Sequence, residues 1–202
     1  MRGDTVVSER YFSGHGPAAI SQAFSASKSV LSILVGAALQ DGIIRSVDQS
    51  VTDYVPELSG RGFDDVSILD LLHMKSGMDY VENDNPFGIH VRFNYTPRLE
   101  DEILALRHSG GKPNRFIYKS GDSALLALIL KRALGGKTIT QYTQERLWGP
   151  AGHGAYLVLP QRDRAGFRQI RDAVPGRRRV AGRAGGAEIL GGRFRPAWRL
   201  FR

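Results

Sequence analysis

The composition of the chain changes near residue 161, and this change limits what each part can fold into. Residues 161–202 contain 12 Arg and 7 Gly but no Lys, Ser, Thr, Asn, Tyr, His or Met. This tail therefore lacks most of the residues that cap helices and shape turns. With 12 Arg and 3 acidic residues, the tail has a net charge of +9. Because the whole chain has a net charge of +8, residues 1–160 have a net charge of −1. The basic pI of about 10.0 thus describes the tail.

Three interpretations of the tail are open: a basic disordered segment, a nucleic-acid-binding segment, and a frame-shifted translation of GC-rich DNA. Arg, Gly, Ala and Pro codons dominate the wrong frames of GC-rich genes, which favours the frame shift. The arginines have no interleaved aromatic motif and would attract nucleic acid only nonspecifically, so that partner is the weakest interpretation. We divide the chain into a folded part, residues 1–155, and a tail, residues 156–202.

Several functional classes are excluded by composition. The absence of cysteine excludes disulfide frameworks, thiol nucleophiles and thiolate metal sites. No apolar run approaches the roughly 20 residues that cross a bilayer, and the first residues lack the apolar stretch of a signal peptide. As written, the sequence is that of a cytoplasmic protein, although a lost start could have carried a signal peptide. No metal site is expected either, because metal-ligand spacing is absent at His15, His73, His90 and His108.

Apolar periodicity and helix punctuation in residues 1–160 predict a helix-dominated domain with a strand at its start. The β-prone residues 5–12 predict that strand. Helices are predicted over residues 27–40, 67–74, 99–108, 123–134 and 140–148. Asp122 is a candidate N-cap for the helix beginning at Ser123, and Gly135-Gly136 is its stop.

A Ser-x-x-Lys motif, Ser25-Ala26-Ser27-Lys28, opens the first of these helices. Residues three apart lie on one helix face, so the Ser25 hydroxyl and the Lys28 amine can reach each other. A lysine beside a buried serine loses solvation and can then accept the serine proton. The partial positive charge at the helix N-terminus favours an oxyanion there. Taken alone, the motif is a weak signal, because Ser and Lys are common and a capping serine with a solvated lysine explains it better.

A second motif, Tyr118-Lys119-Ser120, precedes the helix over residues 123–134. A tyrosine hydroxyl in this position can relay a proton between a nucleophile and a leaving group, although a buried aromatic explains Tyr118 locally. The two motifs occur in a fixed order with other segments. These are Asp41-Gly42-Ile43-Ile44, residues 51–58, residues 71–78 and Leu147-Trp148-Gly149-Pro150.

Together these segments resemble the serine β-lactamase-like hydrolases, a superfamily of class C β-lactamases, penicillin-binding DD-peptidases, related esterases and 6-aminohexanoate-dimer hydrolases. The resemblance covers about residues 5–155. It implies an α+β, β-lactamase/transpeptidase-like fold, here a helix-rich partial domain with an incomplete antiparallel sheet. It also implies Ser25 as the acylated nucleophile, Lys28 as its base partner and Tyr118 as general acid/base. Ser120 stands where the family usually has Asn, and its hydroxyl can support the second motif by bonding Lys28.

The resemblance further implies acyl transfer from a small amide or ester, through an acyl-enzyme that water hydrolyses, with no metal or cofactor. The family's third motif, Lys-Thr-Gly or His-x-Gly on a later strand, has no credible counterpart. Lys75-Ser76-Gly77 precedes Tyr118, and His153-Gly154 falls in a turn. We therefore expect a truncated or frame-shifted member with little turnover, whose first hairpin also lacks its start. The alternative is a catalytically inactive remnant.

Overall fold

The computed structural model describes Thr5 and residues 7–16, 23–83, 85–108, 111, 113 and 115–151. Within these residues the helices are α1 (Ala26–Gln40), α2 (Ile68–Leu72), α3 (Ile89–Tyr95), α4 (Leu99–Leu104), α5 (Ser120–Ala133) and α6 (Ile139–Thr143). Short 3₁₀ helices at Val51–Asp53 and Pro56–Leu58 connect α1 to α2, and a π-helical turn, Gln144–Trp148, follows α6. The tail, residues 156–202, lies outside the described residues, so its interpretation stays a prediction.

Helix α5 is the central element of the core, because it contacts α1, α2, α3 and α4. The buried apolar side chains of α5 are Leu125, Leu126, Leu128, Ile129 and Leu130. On α1 the buried residues recur at spacings of three and four, as an amphipathic helix requires, and they are Leu31, Leu34, Val35 and Ala38. The helix predicted over residues 27–40 is thus confirmed. This buried face, which begins at Leu31, anchors the helix whose first turn carries the Ser-x-x-Lys motif.

Helix boundaries follow the predicted caps in most places. Ser67 and Asp70 form a capping box at the start of α2, with Ser67 Oγ accepting from the Asp70 amide at 3.1 Å. Helix α5 ends at Ala133, and Gly135 just beyond it has φ of +59°, the left-handed conformation that glycine adopts without strain. Helix α4 is shorter than predicted, because it ends at Leu104 rather than residue 108.

The predicted N-terminal strand is wrong for residues 7–12, which form no strand. The side chains of Val7 and Phe12 are 62% and 74% exposed, so neither packs against the core. β-prone residues do not make a stable strand without neighbouring strands to pair with. Elsewhere an antiparallel bridge joins Ser50 to Ser67. The helix-rich character of the predicted fold class is confirmed, whereas the described residues contain no multi-stranded sheet.

The prediction that Asp122 caps α5 is also wrong, because the helix begins earlier, at Ser120. Asp122 lies in the first turn and is fully buried, where its Oδ1 accepts a hydrogen bond from Ser76 Oγ. The Ser120 amide donates instead to Glu82 Oε2 at 2.7 Å. A carboxylate from a distant loop thus satisfies a free N–H of the helix terminus and complements its positive dipole.

Candidate active site

Ser25 occupies the N-cap position of α1 at the end of a tight turn. The amide of Ala26 donates to the Ala23 carbonyl at 3.0 Å, and that of Ser27 to the Phe24 carbonyl at 3.1 Å. Phe24 has φ of +44°, a left-handed conformation that costs a non-glycine residue on the order of 1–3 kcal/mol. The Ser25 side chain makes no capping hydrogen bond. Its hydroxyl is therefore available to other groups.

The hydroxyl of Ser25 receives two hydrogen bonds from side chains on different elements. Lys28 Nζ donates to Ser25 Oγ at 3.1 Å, across one turn of α1. Tyr118 Oη donates to the same oxygen at 2.7 Å, from the extended segment before α5. The Ile117 amide fixes that segment by bonding the Met74 carbonyl at 3.0 Å. The structure thus brings together the three residues that the two motifs predicted to meet.

The expectation of a buried serine is wrong, because Ser25 is exposed and Lys28 is half-buried. The buried face of α1 starts only at Leu31, one turn beyond the motif. The site therefore lies at the rim of the helical core. Because Ser25 is exposed, water has access to this site, which weakens each polar interaction there relative to a closed cleft.

The phenol of Tyr118 is influenced by opposing effects. Partial burial raises its pKa, but the hydrogen bonds with Lys28 and Ser25 and the positive charge of Lys28 outweigh burial. The negative charge of the Glu82 carboxylate also raises the pKa of Tyr118. The net pKa of Tyr118 lies below the ordinary value for a tyrosine. The ammonium of Lys28 lies 5.0 Å from the ring centroid, where a cation stabilises the electron-rich ring.

These contacts define what the site can do chemically. Because Lys28 and Tyr118 both donate to Ser25 Oγ, the serine's own proton can move to one of them only when that group has lost a proton. A neutral Lys28 amine or a Tyr118 phenolate would serve as the acceptor of that proton. The arrangement can therefore activate a serine for attack on a carbonyl.

Ser120 does not contact Lys28 as expected. Its hydroxyl donates to Glu82 Oε1 at 2.7 Å, while its amide donates to Oε2 of the same carboxylate. Glu82 also lies 3.4 Å from His90 Nδ1, and His90 Nδ1 is 2.9 Å from Tyr80 Oη. Sequence reasoning missed Glu82, because it lies in a loop with no periodicity or motif. A lone acidic residue of that kind gives no signal before the tertiary contacts are known.

A buried polar cluster supports the site from beneath. Lys119, next to Tyr118, is buried and donates through Nζ to the Met78 carbonyl. Ser76 is fully buried and donates a hydrogen bond to Asp122. The segment Lys75-Ser76-Gly77 is therefore part of the buried cluster beneath the site. A Cβ on Gly121 would lie 2.7 Å from Tyr80 Cδ2, so only glycine lets the loop pack this closely on α5. His153-Gly154 lies outside the described residues.

Neither a membrane span nor a metal cluster is found in the described ranges. None of their helices is both long and apolar enough to cross a bilayer. They also contain no group of three or more histidine and acidic side chains able to hold a metal ion.

The chain matches the Beta-lactamase protein family over residues 1–192. It is 33% identical over 146 residues to the 6-aminohexanoate-dimer hydrolase of Paenarthrobacter ureafaciens, covering 67% of this chain and 37% of that protein. A Bacillus anthracis structure, provisionally described as a 6-aminohexanoate-dimer hydrolase, matches with a TM-score of 0.59 at 17% identity, over 69% of this chain and 40% of that one.

A class C β-lactamase solved with cefoxitin matches with a TM-score of 0.51 at 25% identity, over 69% of this chain and 38% of that one. The chain therefore spans about two fifths of the length of the relatives it matches. The resemblance inferred from the ordered motifs is confirmed by these matches. The chain belongs to the Beta-lactamase family, within the serine β-lactamase-like superfamily.

Proposed function

We propose that this chain is a serine hydrolase that forms an acyl-enzyme on Ser25 with a small amide or ester. The observation that carries the proposal is the convergence of Lys28 Nζ and Tyr118 Oη on Ser25 Oγ, at 3.1 and 2.7 Å. Membership in the Beta-lactamase family supports the same chemistry. The relative from Paenarthrobacter ureafaciens is named for hydrolysis of 6-aminohexanoate dimer, which favours a small substrate.

The reaction follows from the contacts around Ser25. The Ser25 oxygen attacks the carbonyl carbon while its proton passes to the basic member of the Lys28 and Tyr118 pair. Tyr118 then protonates the departing amine or alcohol, and the acyl group stays on Ser25. Water then attacks the acyl carbon and gives its proton to the same groups. The bond between the acyl carbon and Ser25 Oγ breaks, Ser25 Oγ takes the proton back, and the acid leaves. The dipole of α1 favours the oxyanion formed in each half, although the amides of its first turn are engaged with backbone carbonyls.

An inactive remnant is the second candidate, favoured by two observations at the site. Ser25 is exposed, so its surroundings are less preorganised than a closed cleft. The amides of Ala26, Ser27 and Lys28 all donate to backbone carbonyls, so none of these three is free to bind an oxyanion. Loss of one oxyanion donor typically costs about 10²–10³ in rate. The nucleic-acid interpretation rests entirely on the tail and is not proposed.

A nitrophenyl ester assay distinguishes the two candidates. With p-nitrophenyl acetate, acylation by a good leaving group should outpace deacylation, so we expect a burst of nitrophenolate near one equivalent per chain, followed by slower turnover. The burst amplitude should scale with protein concentration. Circular dichroism and size-exclusion chromatography on the same sample establish that the chain is folded and monodisperse. A folded chain with no burst above that of heat-denatured protein would favour the inactive remnant.

A further inference from the structure

Glu82 connects two segments that are far apart in sequence but adjacent at the site. Its two carboxylate oxygens accept from the amide and the hydroxyl of Ser120, each at 2.7 Å. Lys119, at the N-cap position of α5, makes no side-chain capping bond, so this helix terminus depends on the carboxylate. A charge-assisted contact through two hydrogen bonds restricts both the rotation and the translation of Ser120 relative to Glu82.

The position of Tyr118 depends on that contact. Tyr118 lies two residues before Ser120 on an extended segment, and its hydroxyl must come within 2.7 Å of Ser25 Oγ. On the other side, the segment is fixed by the bond between the Ile117 amide and the Met74 carbonyl. The Glu82 contact and this backbone bond therefore hold the phenol from both ends. Release of either end would let Tyr118 move away from Ser25.

Glu82 also acts on Tyr118 through its charge. The carboxylate raises the pKa of the phenol, whereas the hydrogen bonds with Lys28 and Ser25 and the ammonium of Lys28 lower it. The other groups facing Glu82 are His90, 3.4 Å away, and Tyr80, whose own pKa is raised by burial and by Glu82. The phenol is thus held between a cation on α1 and an anion on the loop before α3.

We propose that Glu82 is a positioning residue that holds Tyr118 against Ser25 through Ser120 and places a negative charge near the phenol. The proposal rests on the proposed function, since it assigns a role within the same site. It also makes a claim about Tyr118 that can be measured without turnover. In this proposal the Glu82 carboxylate acts through Ser120 and Tyr118 and takes no direct part in bond making or breaking.

Spectrophotometric titration of tyrosinate tests the charge effect directly. The difference between each protein and its Tyr118→Phe counterpart isolates the Tyr118 titration from those of the other tyrosines. Glu82→Gln keeps the size and one acceptor oxygen but removes the charge, so the Tyr118 midpoint should shift to lower pH. Glu145→Gln, at an exposed ion pair with Lys137, is the matched control and should leave the midpoint unchanged.

Acylation rates test the positioning effect. Glu82→Ala should lower the ester burst rate by about 10–100-fold, in the range of supporting groups around a reactive site. Ser120→Ala keeps the charge and one hydrogen bond, so its rate should fall less and its Tyr118 midpoint should stay near that of the unmodified chain. This second variant also keeps the proposal testable if Glu82→Gln does not fold.

An unchanged Tyr118 midpoint in folded Glu82→Gln would overturn the proposal, as would an equal shift in Glu145→Gln. A full burst rate in Glu82→Ala would overturn the positioning role. If the chain forms no acyl-enzyme, the proposed function fails, but the tyrosinate titration still decides the influence of Glu82 on Tyr118.

Discussion

Ser25→Ala should reduce acylation by an activated ester to the background rate, a loss of at least about 10⁴-fold. The reason is geometric: Ser25 Oγ is the atom on which Lys28 Nζ and Tyr118 Oη both converge. Removal of that oxygen leaves the two supporting groups with nothing to activate. Ser29→Ala is the matched control, because Ser29 is an exposed serine on the same helix. The control should retain the rate of the unmodified chain.

Lys28→Met should lower the acylation rate by about 10²–10⁴-fold, the usual range for loss of a general base or its partner. Because Lys28 acts only through Ser25 and Tyr118, the double variant Ser25→Ala, Lys28→Met should be no slower than Ser25→Ala alone. Lys137→Met, at an exposed ion pair, controls for loss of one positive charge. A double variant clearly slower than Ser25→Ala would mean that Lys28 supports a different nucleophile.

The unfolding free energy should fall as pH rises through neutrality, because of Asp122. Burial raises the pKa of this carboxyl to about 7, against the opposing effects of the Ser76 hydrogen bond and the Lys119 charge. The folded chain therefore keeps a proton that the unfolded chain releases near its ordinary pKa of about 4. The resulting stabilisation is complete below about pH 4 and is lost as pH passes 7. Its full size is on the order of 2–4 kcal/mol.

Urea denaturation at several pH values between 5 and 8 measures this dependence. Asp122→Asn carries no titratable group, so its unfolding free energy should change less with pH than that of the unmodified chain. Comparison of the two slopes isolates Asp122 from the other titrating groups. Asp122→Asn should not simply stabilise the fold, because the Ser76 hydroxyl then needs the amide oxygen of the new side chain as its acceptor. Equal pH slopes in the two proteins would show that Asp122 is already ionised in the folded state.

Local sequence patterns predicted those parts of the site that depend on local geometry. The spacing of three between Ser25 and Lys28 is sufficient to place both on one face of α1, and the buried residues of α1 follow the predicted amphipathic pattern. Tyr118 is 93 residues from Ser25, so no periodicity connects them. Its role was inferred only from the order of motifs shared with a known superfamily.

The features that the sequence did not predict depend on tertiary contacts. Glu82 and Ser120 are 38 residues apart, and Ser76 and Asp122 are 46 apart, yet each pair forms a hydrogen bond. The contact between Glu82 and Ser120 lets α5 begin at Ser120. The contact between Ser76 and Asp122 holds Asp122, the predicted N-cap, as a buried acid in the first turn. The exposure of Ser25 likewise follows from where the core of α1 begins. Rules based on neighbouring residues contain no information about such distant partners.

The proposed reaction requires Ser25 to be the activated nucleophile. Incubation of the folded chain with a fluorophosphonate, followed by intact-mass measurement and peptide mapping, tests it most directly. We expect one adduct per chain, located on Ser25, present in Ser29→Ala and absent from Ser25→Ala. An adduct on another residue, or none in a folded chain, would contradict it.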